Sequence, residues 1–88
     1  MEKKVRWNEL KNQRLKRTRG LFFQELLGKE LIGIEKHPMR PNQKLMLFYC
    51  KGRVWVVPFV ETEGGRFLKT LYPSSKYTKK YKEAGRRT

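Results

Sequence analysis

The chain has 88 residues, 38% of them hydrophobic and 34% charged, so it forms one domain at most and is not a wholly disordered polymer. Its net charge of +14 lies at both ends: residues 1–20 carry eight bases against two acids, residues 66–88 eight against one, and residues 21–65 six against five. This asymmetry points to nucleic acid, an anionic membrane or an acidic protein as partner. No window approaches the ~20 apolar residues of a membrane span and no signal region opens the chain, so we expect a cytoplasmic protein with no membrane partner.

Two helices are predicted near the N-terminus. Asn8 is a good N-cap and Gly20 a good C-terminal stop, which predicts a helix from about Glu9 to Arg19. In LFFQELLGKE, four large apolar side chains recur at i, i+1, i+4 and i+5. This spacing predicts a short second helix that packs on a sheet.

Four strands are predicted next. The first lies at about Glu30 to His37, and after the loop PMRPN three strand-like runs follow: KLMLFYC, RVWVVPFVE and RFLKTLYP. Lys51-Gly52 predicts a two-residue hairpin and TEGG a slightly longer one. The first two runs are apolar on both alternating faces, which is typical of central strands covered on both sides. Pro58 has no N–H to donate and therefore predicts a bulge or a locally unpaired edge.

A last helix is predicted at about Ser75 to Ala84, capped by Ser74, with Tyr77 and Tyr81 on one side. The elements together predict an α+β fold. Two N-terminal helices pack on a four-stranded antiparallel sheet, a short C-terminal helix follows, and the other face of the sheet is available for a ligand.

The composition restricts the chemistry. The chain has no Asp and one His, His37, so a two-His acid/base ribonuclease cannot be built within it. Carboxylate clusters for two-metal cleavage would need several of the eight scattered Glu, which disfavours a metal-dependent nuclease. No P-loop or GxSxG motif occurs, and we expect no cofactor. A lone His is more often structural than catalytic.

A cationic site remains, and RNA cleavage can run on one. The adjacent 2′-hydroxyl attacks the phosphorus, so the protein must align the nucleotide, neutralise the developing charge and move protons. Lys76 lies in the first turn of the last helix, where free N–H groups favour an anion, and Lys69 arrives on the preceding strand. The junction therefore favours a bound phosphate. That Lys76 simply extends into water is an equally open alternative.

Six residues are candidates for catalysis. Lys69 and Lys76 would bind or activate the scissile phosphate together with Arg66. Glu61 or a Lys would take the 2′-hydroxyl proton, and Tyr72 or Tyr77 would assist the leaving oxygen. Tyr77 and Tyr81, at i and i+4, are also typical of a packing stripe. The candidates for RNA binding are Ser74, Lys79, Lys80 and Arg53.

The run W-N-x-x-K-N-x-x-L-K-x-x-R-G-x-x-F-x-E, from Trp7 to Glu25, together with VPFVE and FLKTLYPSSKYTKKY, resembles the BrnT-type toxins of bacterial type II toxin–antitoxin modules in the RelE/ParE superfamily. The similarity covers about residues 5–82. It implies a RelE-like fold and a small ribonuclease that cuts mRNA, free or on the ribosome, and arrests growth. Some members of the superfamily act on gyrase instead. Members commonly read Pro-Ser-Arg-Lys at positions 73–76, so Ser75 removes one cation from the candidate site.

The resemblance also implies a neighbouring ribbon-helix-helix antitoxin that neutralises the toxin and binds the operator, so that DNA is contacted only through the antitoxin. We therefore predict a single toxin-like domain, 1–88, with metal-independent endoribonuclease activity. A non-catalytic RNA- or ribosome-binding module is the main alternative, because the same basic ends suffice for it. A structural protein whose basic ends bind an acidic mate is a third.

Overall fold

The computed structural model describes residues 4–84, without the side chains of residues 82–84. Residues 1–3 and 85–88 lie outside the described residues. The elements follow in the order β1 (Val5–Arg6), α1 (Glu9–Arg19), α2 (Phe23–Leu27), β2 (Glu30–Lys36), β3 (Lys44–Cys50), β4 (Arg53–Thr62), β5 (Gly65–Leu68), β6 (Tyr72–Ser74) and α3 (Ser75–Ala84).

The sheet in the described chain has six strands and is mixed, so the predicted four-stranded antiparallel sheet is wrong. The strand order is β1-β5-β4-β3-β2, and β6 also pairs with β4. Two features account for the difference. The short N-terminal strand β1 pairs in parallel with β5, and the run RFLKTLYP, expected to form one strand, is divided into β5 and β6.

Pro58 lies opposite the division between β5 and β6. The register of β4 against β3 continues through Pro58 without a shift, whereas β4 pairs with β5 from Phe59 onward and with β6 only up to Val56. The carbonyl of Pro58 accepts a 2.8 Å bond from the Lys69 N–H. Because the nitrogen and the carbonyl of a strand residue face the same neighbour, the ring nitrogen of Pro58 also faces the chain between β5 and β6. Without a donor on that side the ladder is interrupted, which confirms the locally unpaired edge.

Helices cover both faces of the sheet, so the expectation of one open face is also wrong. Helices α1 and α2 pack on the first face and bury a core that includes Phe23, Leu26 and Phe59. Helix α3 packs on the second face, where Tyr77 contacts a smaller core that includes Leu47. Because β3 and β4 supply side chains to both cores, their predicted burial on both sides is confirmed.

The predicted caps of α1 and the predicted first hairpin are confirmed. The Asn8 side chain accepts a 3.0 Å bond from the Lys11 N–H, and Gly20 ends α1 at φ 86°. Lys51 and Gly52 both adopt positive φ, as a two-residue hairpin with primed-type geometry requires. The second hairpin is tighter than expected, because Thr62 pairs directly with Gly65.

The run from Trp7 to Glu25 forms a cross-linked pair of helices. Asn12 is fully buried, and its Oδ1 accepts a 2.7 Å bond from the Phe23 N–H while its Nδ2 donates to Gln24. Glu25 accepts a bond from the Phe22 N–H and pairs with Lys16 at 3.0 Å. The polar residues of this run therefore hold α1 against α2.

Helix α3 is anchored at its start by two hydroxyl groups. The Ser74 Oγ accepts a 3.1 Å bond from the Tyr77 N–H, which confirms Ser74 as the cap. The Thr78 Oγ1 accepts a 2.8 Å bond from the Val54 N–H of β4 and donates to the Ser74 carbonyl at 2.5 Å. The start of α3 is thereby fixed at the end of β4 that follows the first hairpin.

A short polar network fixes α3 to β2 farther along the helix. The Tyr81 hydroxyl donates to the Glu35 carboxylate, and Lys80 pairs with the same carboxylate at 3.1 Å. The bond to Glu35 raises the pKa of Tyr81 to about 12. The pKa of Glu35 is lowered, chiefly by the bond from Tyr81. Burial acts in the opposite direction, and the bond from Lys80 adds to the lowering. The network therefore stabilises the neutral phenol and the ionised carboxylate.

Replacing Tyr81 by Phe is expected to lower the free energy of unfolding at pH 7 by about 1–2 kcal/mol, because the bond is made to a charged group. Glu35 has a folded-state pKa below its usual 4.5, so the stabilisation is present above that value and disappears as pH falls through the folded-state pKa. Urea unfolding of both proteins between pH 3 and 8 should show the difference shrinking on the acid side. A constant difference across this range would contradict the assignment, and Glu35→Gln supplies the double-mutant control.

Candidate nucleic-acid interface

The second face of the sheet has a pocket beyond the part that α3 covers. It lies where the β2–β3 loop approaches the β5–β6 connection, and its volume is about 360 Å³. We call it the junction pocket. Its lining residues are His37, Arg40, Gln43, Pro58, Lys69, Thr70 and Tyr72.

The junction pocket unites two predicted catalytic residues. Lys69 is exposed and lines the pocket, and its backbone N–H bonds to the Pro58 carbonyl just after the end of β5. Tyr72 begins β6 and is partly buried beside the second core. Burial raises the pKa of Tyr72, with a smaller contribution from Tyr77, so the phenol remains a proton donor at neutral pH.

His37 and Arg40 supply the opposite wall from the β2–β3 loop. The Nδ1 atom of His37 accepts bonds from the N–H groups of Met39 at 3.0 Å and Arg40 at 3.2 Å. A neutral ring with Nδ1 occupied as an acceptor carries its proton on Nε2. His37 therefore orders the loop that carries Arg40, and its remaining ring atom is a hydrogen-bond donor. His37 therefore has the structural role expected of a lone His, and it also lines the pocket.

Lys76 lies away from this pocket. Lys69 bonds to Pro58, whereas Ser74, at the start of α3, pairs with Val54. Val54 and Pro58 are four positions apart along β4, which is ~13 Å of strand. The structure therefore divides the predicted Lys69–Lys76 site into two places.

Arg53 lies beside Ser75 at the start of α3. Its Nη2 atom is 3.4 Å from the Ser75 Oγ, and both side chains are exposed. Lys76 is exposed in the same turn, with Nζ 5.6 Å from the Tyr77 ring centroid. Arg53 thus brings a guanidinium beside the Ser75 hydroxyl.

Glu61 and Arg66 lie on the opposite face of the sheet from the junction pocket. They are paired across β4 and β5, with Arg66 Nε 3.6 Å from Glu61 Oε2, and Lys44 is also 3.6 Å from the Glu61 carboxylate. The Arg66 guanidinium stacks 5.0 Å from the ring of Phe59, a first-core residue. The structure does not bring this group together with Lys69.

The remaining candidates lie along α3. Tyr77 is only 9% exposed and packs in the second core, as a packing stripe requires. Lys80 lies against the rings of Tyr77 and Tyr81 as well as the Glu35 carboxylate. Lys79 is exposed on the same helix. Both lysines lie on the helix that covers the second face.

Arg40, Gln43 and Thr70 were not among the sequence candidates, although they line the junction pocket. Thr70 could have been found from its place beside Lys69. Arg40 and Gln43 come from the loop between Pro38 and β3, and spacing along the chain gave no sign that this loop folds against residues almost thirty positions later.

Within residues 4–84, no group of three or more His, Cys, Asp or Glu side chains is placed to hold a metal ion. No helix described in this range is long and apolar enough to cross a membrane.

Comparison with known proteins gives one informative match. No protein-family model matches the sequence, and no curated protein matches it. Among solved structures, the crystal structure of the Brucella abortus ribonuclease toxin BrnT superposes with a TM-score of 0.52 at 18% sequence identity, covering 84% of this chain and 99% of that one. At this identity the match concerns architecture, and it agrees with the resemblance found in the sequence. The chain has the fold of the BrnT toxin.

Proposed function

We propose that this protein is the toxin of a type II toxin–antitoxin system and that it cleaves single-stranded RNA, mRNA in particular, without a metal ion. The observation that carries the proposal is the convergence of Lys69, Arg40, His37 and Tyr72 on one pocket. Cations and proton donors in a partly enclosed site suit a phosphodiester whose negative charge grows in the transition state. The BrnT fold and the net charge of +14 support the same substrate.

The pocket residues take roles that follow from their chemistry. The Lys69 ammonium and the Arg40 guanidinium neutralise the non-bridging oxygens of the scissile phosphate, and the His37 Nε2–H donates to one of them. The 2′-oxygen forms a bond to phosphorus as the bond from phosphorus to the 5′-oxygen breaks. The products are a 2′,3′-cyclic phosphate and a 5′-hydroxyl.

Two protons move in this step. The Tyr72 hydroxyl gives its proton to the leaving 5′-oxygen and recovers one from solvent, and its raised pKa keeps the phenol protonated before the step. The 2′-hydroxyl proton passes to a phosphate oxygen or to solvent, because Glu61 lies on the other face and the pocket lining holds no carboxylate. Catalysis then depends on alignment and charge neutralisation more than on a strong base.

Incubation of the purified protein with total RNA in EDTA, alone and with ribosomes, tests the activity. We expect cleavage in at least one of the two mixtures, since the proposed groups need no metal. Binding without cleavage in both would refute the nuclease and favour the non-catalytic RNA-binding module. The observation that favours this RNA-binding module is the group of cations on α3, which lies outside the pocket.

The partner we propose is an antitoxin with a ribbon-helix-helix domain, which acts in the cytoplasm, covers the junction pocket and alone contacts operator DNA. An acidic segment of that protein would complement the positive second face. Co-expression with the product of an adjacent reading frame should restore growth in cells arrested by this protein. Restored growth without a complex between the two proteins would contradict direct neutralisation.

A further inference from the structure

A second pocket lies at the β4–β5 hairpin, where Val60 and Phe67 share the face of the sheet that carries Pro58. Its volume is about 460 Å³, within the range of small-ligand sites. We call it the hairpin pocket, because Thr62 and Gly64 of the β4–β5 hairpin form one side of it. Its other lining residues are Arg6, Val60, Gly65, Arg66 and Phe67, and none of the lining residues is a carboxylate.

Phe67 is an aromatic side chain that neither core uses. It pairs with Val60 of β4, is partly buried, and belongs to neither of the two hydrophobic clusters. The Lys69 Nζ lies 5.7 Å from the centroid of its ring. Lys69 lies two residues farther along the chain, ~7 Å away. One lysine therefore connects the ring in the hairpin pocket with the junction pocket.

Arg6 lies on the strand beside this ring. In the parallel pairing of β1 with β5, Arg6 is the partner of Phe67. A Cβ atom placed on Gly64 would lie 3.2 Å from the Arg6 Nη2 atom, so the guanidinium lies against the bare backbone of the hairpin. Arg6 therefore lies on the strand next to Phe67, and Lys69 follows directly after the strand that carries Phe67.

We propose that the hairpin pocket binds the base of the nucleotide adjacent to the scissile phosphate. The base stacks on Phe67, and Arg6 and Lys69 pair with the phosphates on its two sides. This inference rests on the proposed function, since it takes single-stranded RNA as the ligand. Stacking on a single ring accepts every base but requires that the base be unpaired. The subsite therefore selects unpaired RNA and not a particular sequence.

Binding of a fluorescein-labelled, eight-nucleotide 2′-O-methyl RNA, which cannot be cleaved through its 2′ position, tests the subsite by anisotropy. Phe67→Leu keeps an apolar side chain but removes the stacking plane, so we expect about a tenfold loss of affinity. The dependence on salt should not change. Arg6→Gln should reduce the slope of log K against log salt by about 0.7, because one phosphate contact is lost. Phe67→Trp should restore the affinity.

Arg17→Gln is the charge-matched control, because Arg17 is exposed on α1 at the other face. Thermal unfolding of each variant shows whether the fold is intact. Phe67→Trp, which keeps an aromatic ring, shows whether the ring itself is required for binding. Wild-type affinity in Phe67→Leu, or equal losses in the Leu and Trp variants, would overturn the subsite.

Cleavage of ordinary RNA by the wild type, measured in parallel, distinguishes the two proposals. Cleavage together with unchanged binding by Phe67→Leu refutes the subsite alone. Binding that depends on Phe67 without any cleavage refutes the nuclease alone. If the wild type neither binds nor cleaves RNA, both proposals fail.

Discussion

Replacing Lys69 by Gln is expected to lower the rate of RNA cleavage by about 100-fold, the effect of removing one preorganised donor from a site of developing charge. Gln keeps most of the side-chain length but cannot neutralise the phosphate. Lys69 is exposed and makes no ion pair in the described structure, so the fold should not suffer. Initial rates on a short RNA, together with melting temperatures, measure both quantities.

Two other Lys→Gln variants are compared with Lys69→Gln. Lys29→Gln removes the same charge from an exposed position near the other end of β2 and should leave the rate unchanged. Lys76→Gln, in the first turn of α3 and not among the residues that line the junction pocket, should weaken binding less than tenfold and leave turnover intact. Equal losses from Lys69→Gln and Lys76→Gln would contradict the location of the site in the junction pocket.

Replacing Gly65 by Ala is expected to lower the free energy of unfolding by about 2 kcal/mol, within the range for a strained backbone position. Gly65 has φ 133°, and an added Cβ would lie 2.1 Å from the Lys4 carbonyl oxygen. That same carbonyl accepts a 2.7 Å bond from the Arg66 N–H, which holds β1 on the sheet. The melting temperature should fall by about 8–16 °C. Because β1 carries Arg6, RNA affinity should fall as well.

Gly33→Ala is the matched control for this prediction. Gly33 also lies in a strand, but its φ is not positive and no atom lies within 4 Å of an added Cβ. Its substitution should change the unfolding free energy by less than about 0.5 kcal/mol. If Gly65→Ala melts like the wild type, the close approach of β1 to the hairpin is not a structural requirement.

The sequence predicted those elements whose signals are local. Asn8, Gly20 and Ser74 act within their own turns, so the helix ends could be predicted from single residues. The run from Trp7 to Glu25 carried the family resemblance. In the structure its polar residues, Asn12 above all, hold α1 against α2. It therefore indicates the fold and says little about the chemistry.

The sequence could not predict the features that depend on distant partners. β1 has only two residues and no alternating pattern, and its parallel pairing depends on Gly65, sixty positions away. The division of RFLKTLYP depends on Pro58 in the neighbouring strand. For the site, Lys69 and Tyr72 stand at a strand end that the sequence had singled out, and both line the junction pocket. The sequence could not bring Arg40 to them or show that Glu61 faces the other way, because both follow from the pairing of the strands.

The central claim is that this chain cleaves RNA by attack of the 2′-hydroxyl, without a metal ion. The most direct test compares an all-ribose oligonucleotide with one that carries a single 2′-deoxyribose at the mapped cleavage position, both in excess EDTA. We expect the first to yield a 2′,3′-cyclic phosphate and a 5′-hydroxyl and the second to remain intact at that position. Cleavage of the deoxy-substituted bond, or an intact all-ribose strand that is nevertheless bound, would contradict the mechanism.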